Sequence, residues 1–292
     1  MDTQQYLIAV SGGVDSCYLL HWMQEQGHQG VVCHVNHGLR PESAQEAVFV
    51  RALAAQYGLP YEECTLQMAA QDGAFEADAR EARLRFYARI ARQRGVQHVA
   101  LGHHADDQAE TILMQLCRGS ASAHGMQELT ELTDYGITLW RPLLRMRKAE
   151  IVAWMQARDL SWHEDASNQQ PIAVRNRIRH EVMPLLCDIF SRDVAPLIGR
   201  QVSTAESEID ELLPLIPWRD PQGRLFLPRV RALSPALQAR VLLHYLREEG
   251  VQEISTAKLT ESLSLLTDPT RWKVNLPGDR HLRRKEQRLI VE

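Results

Sequence analysis

The sequence predicts an α/β protein, with a mostly parallel, doubly wound sheet followed by a smaller, mainly helical C-terminal domain. Three observations carry this. Through the first two thirds of the 292 residues, short apolar runs alternate with segments of helical periodicity. Such alternation implies a parallel sheet with helices on both faces. A glycine pair follows the first apolar run directly, in Ser11–Ser16 (SGGVDS). Beyond about Lys148 the strand-like runs fade and helical patterns dominate. The boundary is expected near Ala205, giving domains 1–205 and 206–292.

Taken in order, YLIAV (Tyr6–Val10) reads as a buried strand, and a helix follows from Val14 to Gln26, closed by Gly27. GVVCHVNH is the second strand. The next helix opens at Pro41, a favoured first-turn residue, and stops at Gly58. YEECTL is the third strand, and the segment Glu76–Gly95 a helix with Ala79, Ala82, Phe86 and Ile90 on one face. QHVALGHH is the fourth strand, DDQAETILMQLCRG a helix, and GITLWRPL the fifth strand. Helices follow at Arg147–Leu160 and from Ala173, the latter expected to stop near Pro184, with a linking helix within Ser191–Leu213. Pro214 and Pro217 interrupt the pattern. Two further helices carry Ser234 and Ser255 as N-caps, and the last 22 residues hold two strand-like runs that can pair as a basic hairpin.

Composition narrows the function classes. Hydrophobic residues at 45% and charged residues at 24% are the mix of an ordinary globular protein. With a net charge of -4, any RNA binding must come from local basic patches. The five cysteines are widely spaced and form no C-x-x-C, which argues against a disulfide scaffold, a zinc site and a dithiol redox motif. No basic-then-apolar leader and no bilayer-length apolar run occur, so a cytoplasmic protein without membrane contact is expected.

Ligands of such sheets bind outside the carboxyl ends of the strands. SGGVDS, NHGLR and GHHADD each follow a strand, so the three should converge on one crevice. Gly12 and Gly13 allow close backbone approach, Ser11 and Ser16 supply hydroxyls, and the helix at Val14 adds its positive end, which together suit a phosphate. The same hexapeptide also fits a capped Gly-Gly turn. Asp15 is the misfit, because a carboxylate beside phosphate needs a cation or a cationic group between them. Asp107 and Glu110 lie three apart on a helix and share a face, where they can hold an amine or magnesium, or simply form a solvated acidic turn. Asp106 reads equally as a cap. Arg80 and Arg83 share a face and can meet phosphate, or pair locally with Glu76 and Glu81. Arg175, Asn176 and Arg179 belong to a basic cluster that can touch an RNA backbone or face solvent. Arg283 and Arg284 stand in the basic C-terminal run, a tRNA grip or a solvated hairpin.

SGGVDS after an apolar strand resembles the PP-loop of the N-type ATP pyrophosphatases, whose fold is adenine nucleotide α-hydrolase-like. The ordered set is more specific. His34–Arg40 (HVNHGLR), Glu76–Arg83, Gly102–Ser120 (GHHADDQAET to RGS), Arg141–Leu144 (RPLL) and Glu164–Arg179 closely resemble the tRNA(Ile)-lysidine synthetase family over roughly the first two thirds of the chain. Departures are Leu84 where that family usually has tyrosine, and SASAHGM where it is richer in glycine. The family often carries a further C-terminal domain, and on its length this chain is expected not to hold a full one. The resemblance implies ATP and Mg2+ as cofactors, and a tRNA(Ile) with a CAU anticodon and free L-lysine as partners. It implies ATP binding by Ser11, Gly12, Gly13, Val14, Asp15 and Ser16, with Asp15, Arg83, Asp107 and Glu110 catalytic. Arg80, Arg175, Asn176, Arg179, Arg283 and Arg284 are then candidate tRNA contacts. A homodimer is left open, and so is the metal site. Competing expectations are a PP-loop thiolase, for which Cys17 and Cys33 would have to be reactive, an enzyme amidating a small metabolite, and an RNA-binding module without activity.

Overall fold

The strand Gln5–Ala9 (β1) shows why the sheet is covered on both sides. Successive side chains of a strand point to opposite faces. Tyr6 and Ile8 pack with one core and Leu7 with another. The computed structural model describes residues 4–36, 43–66, 75–163, 174–251 and 254–292. His37–Arg40, Pro41 and the Glu164 end of the fourth motif lie outside the described residues.

After β1 come Val14–Glu25 (α1), Gln29–Asn36 (β2), Ser43–Gln56 (α2), Tyr61–Thr65 (β3), Phe75–Arg94 (α3), His98–Ala100 (β4), Ala105–Cys117 (α4), Leu129–Leu132 (β5), Ile137–Trp140 (β6) and Lys148–Gln156 (α5). The sheet order is β3-β2-β1-β4-β6-β5. All pairings are parallel except that of β5 with β6. One core joins Ile8 to Leu19, Leu20 and Met23 of α1, Val50 of α2, and Ile151 and Met155 of α5. The other joins Leu7 and Val31 to Phe86 and Ile90 of α3, and to Val99 and Leu139. Each such side chain contributes about 1.5–3 kcal/mol when fully buried, so these two apolar layers fix the positions of the strand ends.

Three segments differ from expectation. β5 was not foreseen, because LTEL is an edge strand whose only fully buried residue is Leu132. The fourth strand ends at Ala100 rather than His104: Leu101 still donates to the Trp140 carbonyl at 2.8 Å, and the chain then leaves the sheet. Pro184 does not stop its helix. Val174–Arg177 (α6) passes through a π-turn at Ile178–Val182 into Met183–Ile189 (α7), with Pro184 in the first turn of α7. The Met183 amide reaches back five residues to the Ile178 carbonyl. That extra residue opens the turn where proline lacks a donor.

The chain divides into two compact units, residues 1–110 with 126–196, and residues 111–125 with 197–292. The second unit holds Ala195–Leu212 (α8) from its third residue, then Leu225–Phe226 (β7), Leu227–Arg231 (α9), Pro235–Glu248 (α10), Thr256–Thr267 (α11), Lys273–Asn275 (β8), His281–Lys285 (β9) and Arg288–Val291 (β10). Ser234 and Ser255 cap α10 and α11 through their side chains. The C-terminal run is more than a hairpin: β8, β9 and β10 form an antiparallel meander, and β7 adds to β10. Val241, Leu242, Leu246, Leu265, Leu282 and Leu289 are core residues of this unit. Among the described residues, no helix is long and apolar enough to cross a membrane.

Candidate active site

The loop after β1 is shaped by Ser16. Its Oγ accepts from the amides of Ser11 (3.0 Å) and Gly12 (3.2 Å) and donates to the Gly13 carbonyl at 2.9 Å. Gly12 has φ +99°, a conformation that side chains disfavour. Gly13 stands at the N-cap of α1 with no side-chain cap bond, and Asp15 lies in the first turn, next to the positive end of that helix. The expected donors are thus partly engaged with each other: Ser11 and Gly12 point to Ser16 here.

β4 brings the second motif against this loop. A Cβ on Gly102 would sit 2.9 Å from the Asp15 carbonyl oxygen and 3.3 Å from the Ser16 amide nitrogen. Gly102→Ala is therefore expected to push the α4 entry away from Asp15. The expected result is a loss of nucleotide affinity of at least ~10-fold, the order for a misplaced binding group, measured by titration calorimetry. An unchanged affinity would mean that the two loops need not touch.

Asp15 is not left facing phosphate alone. Both of its carboxylate oxygens accept from Lys148 Nζ, at 2.7 and 2.6 Å, across 133 residues of sequence. Lys148 opens α5, and nothing in its local sequence marks it. His104, only 2% exposed, lies among three carboxylates. Its Nε2 is 3.4 Å from Asp107 and 3.7 Å from Asp15, and its Nδ1 is 3.5 Å from Asp106. Burial alone would lower the imidazole pKa, but Asp106, Asp107 and Asp15 outweigh it and push the pKa up. Asp106 does act as a cap, though of α5: it accepts from the Lys148 amide at 2.8 Å and pairs with Arg147. Burial opposes its charge, yet His104, the Lys148 amide and Arg147 together hold it down at about 2.

Asp107 and Glu110 do share a face, and it is occupied. Glu110 is 1% exposed and accepts from Arg179 Nε at 2.7 Å and from Arg175 Nε at 3.0 Å. Asp107 accepts from Arg179 Nη2 at 3.0 Å and from the His104 amide at 3.1 Å. Burial raises the Asp107 carboxyl, and His104 and His103 foremost more than reverse that, leaving it below the usual range. Two expected tRNA contacts thus turn toward two expected catalytic carboxylates. The solvated acidic turn does not form. A cavity of about 120 Å³ lies beside these groups, lined by His104, Asp106, Glu110, Lys148, Arg179 and Met183.

The other expected residues are placed as follows. Arg80 and Arg83 are exposed on the first turns of α3. Glu81 does not pair with them; it bonds Tyr135 and, at 2.7 Å, Arg85. The Glu76 side chain lies outside the described residues. Asn176 is half-buried in α6. In the second unit, Arg283 pairs with Glu292 at 3.0 Å, and Arg284 donates to the carbonyls of Leu265, Asp268 and Pro269. These two arginines are tied into their own unit rather than standing free. Cys17 and Cys33 are buried, and burial pushes both thiols up to about 12, which keeps them from being thiolates at neutral pH.

A family model described as a PP-loop domain matches residues 1–186, and one described as the TilS substrate binding domain matches residues 225–290. Among curated proteins, the tRNA(Ile)-lysidine synthase of Thermus thermophilus is 38% identical over 89% of this chain, which spans 49% of that relative's length. The tRNA(Ile)-lysidine synthase of Chlamydia pneumoniae is 34% identical over 85% of this chain and 80% of its own. Among solved structures, the U34-tRNA thiolase of Methanococcus maripaludis aligns with a TM-score of 0.55 at 13% identity, over 70% of this chain and 73% of its own. That likeness shows the shared fold.

Proposed function

The chain belongs to the tRNA(Ile)-lysidine synthase family, built on a PP-loop domain, and we propose that it joins free lysine to the wobble cytidine of a CAU-anticodon tRNA(Ile). The cytidine ring carbonyl oxygen attacks the α-phosphate of ATP, and pyrophosphate leaves. The lysine ε-amine then attacks the activated ring carbon, AMP leaves with the former ring oxygen, and the amine loses a proton. The products are lysidine, AMP and pyrophosphate.

The observation that carries this reading is that His104 bridges Asp107, on the same helix face as Glu110, to Asp15 of the Ser11–Ser16 loop. One motif holds the leaving group while the other handles an amine. Arg175 and Arg179 are 39% and 32% exposed, so they can turn to an incoming phosphate and release the carboxylates to the substrate ammonium. Lys148 supplies the cationic group that Asp15 needs, and it is the lysine a kinase-type loop would carry within its own sequence. Arg83 steadies the adenylated intermediate. Mg2+ would arrive on the ATP phosphates and neutralise their charge. Mg2+ usually takes only one or two protein carboxylates; Asp15 would serve as one of them once Lys148, which now holds both of its oxygens, turns to the phosphates. Residues 206–292 serve tRNA recognition, with Arg80, Arg175, Asn176 and Arg179 as contacts in the catalytic domain. The high thiol pKa values of Cys17 and Cys33 weigh against a cysteine-dependent thiolase.

The test is incubation with ATP, magnesium, labelled lysine and an unmodified CAU-anticodon tRNA(Ile). Label in the RNA is expected, and its absence beside an active control would overturn the assignment. Pyrophosphate exchange without RNA would indicate a small-metabolite enzyme instead. In the same assay Lys148→Met should raise the KM for ATP at least ~10-fold, the order of one lost charge-assisted contact, with the KM for lysine little changed.

A further inference from the structure

Arg141 is 6% exposed, yet no carboxylate pairs with it among the described residues. Its Nη1 donates to two neutral acceptors, the Gln127 carbonyl at 2.6 Å and Thr130 Oγ1 at 2.8 Å. Its Nε is buried with no hydrogen-bond partner among the described residues, and so is Nδ1 of His103. A buried charge without an opposite charge is costly, and a buried donor without an acceptor adds to that cost. The expectation is an anion that completes the site.

The fold puts these groups together. β4 and β6 are parallel neighbours, with Ala100 opposite Trp140. His103 and Arg141 therefore leave the sheet at the carboxyl ends of adjacent strands. α3 packs on β1 and β6, and its first turns, at the same edge of the sheet, carry Arg80 and Arg83. Neither arginine has an acidic partner among the described residues. The proximity is felt electrostatically: burial and the Arg80 charge bring Arg141 down to about 10, and burial with Arg141, Arg175 and Arg83 holds His103 near 4 against the pull of Asp107. Like charges gathered in this way repel unless a shared anion sits among them.

We infer that Arg141, His103 and Arg80 form a phosphate-binding pocket at the β4 and β6 strand ends, separate from the Ser11–Ser16 loop. A guanidinium fork matches phosphate oxygens, and a neutral imidazole can donate a third bond from Nδ1. The phosphate is either a backbone phosphate of the RNA or a phosphate of the nucleotide. The RNA source rests on the function proposed above, whereas the phosphate chemistry does not.

The experiment compares the full chain with Arg80→Ala and Arg141→Gln. Thermal unfolding with and without inorganic phosphate comes first, followed by affinities for ATP and for tRNA across a salt series. Wild-type protein should gain stability with phosphate, and both variants should lose part of that gain. If the RNA supplies the phosphate, Arg80→Ala should lower the salt slope of tRNA binding by about 0.7–0.9, the amount for one phosphate contact, with ATP affinity unchanged. If ATP affinity falls instead and the tRNA slope holds, the nucleotide supplies it. An equal phosphate gain in wild type and Arg80→Ala, with both affinities unmoved, overturns the pocket even if Arg141→Gln does not fold. A phosphate gain lost in Arg80→Ala, in a protein that makes no lysidine, keeps the pocket and removes the proposed function.

Discussion

Glu110→Ala is expected to destabilise the N-terminal unit by about 3 kcal/mol, the lower end of the 3–5 kcal/mol typical for breaking a buried ion pair from one side. Glu110 is 1% exposed and holds both Arg175 and Arg179. Its removal leaves two guanidinium groups without their main partner, in a place where water reaches them only in part. They are 39% and 32% exposed, which places the cost at the low end of the range. The loss also loosens α6 and the π-turn from α4, where Arg179 keeps its bond to Asp107 and Arg175 its bond to the Asp107 carbonyl. Thermal unfolding should show a midpoint lower by roughly 2–4 °C per kcal/mol, or on the order of 10 °C. Glu110→Gln should fall between the two, because an amide keeps an acceptor for one guanidinium but not the charge. A midpoint within about 2 °C of wild type in the alanine variant, well below that scale, would mean that the arginines find other partners and that the pair does not hold the fold.

The sequence made the sheet legible because each strand of its centre is bounded by turn residues and buried on both faces. Ile8 and Leu7 each belong to a core, so YLIAV is a continuous apolar run. β5 carried no such signal, because an edge strand with one fully buried residue looks like a loop. Pro184 misled for a definable reason: a π-turn absorbs the missing donor, and no residue pattern announces one. At the site, helical spacing correctly put Asp107 and Glu110 on one face. It gave no means of seeing that Arg175 and Arg179 close on them from 65 to 72 residues away. The same holds for Lys148 and Asp15, where the sequence pointed only to a missing cation. Contacts of this kind are made by the fold, and local spacing does not encode them. A hint did exist in the arginines themselves, whose spacing of one helical turn mirrors the three-residue spacing of the carboxylates.

Asp107→Asn is expected to lower the rate of lysidine formation by about 10²–10⁴-fold, the range for loss of a positioned acid–base group, equivalent to about 3–5.5 kcal/mol of barrier. The fold should survive, since an asparagine Oδ1 still accepts from Arg179 or from the His104 amide, the two donors that Asp107 now holds. The step affected can be argued from charge. The Asp107 carboxyl lies below the usual range: burial raises it, and the charges and bonds of His104, with His103, bring it down further than that. Such a carboxylate is a weak base, while a free lysine ammonium has a pKa of about 10.4. It therefore cannot strip the ammonium before attack. In the proposed reaction it holds the ammonium in place; the first proton passes to water, the neutral amine attacks, and the carboxylate takes the second proton once the nitrogen bonds to the ring carbon, when that proton becomes strongly acidic. Adenylation of the cytidine needs no such base at this position. In Asp107→Asn, pyrophosphate should therefore still be released, in about one equivalent, while adenylated RNA accumulates and lysine is not incorporated. Rapid quench with ATP labelled in the α-phosphate separates the two steps. Label that fails to reach the RNA would assign Asp107 to the first step, with ATP. A wild-type rate of lysine incorporation would remove Asp107 from the chemistry and leave it as the partner of Arg179.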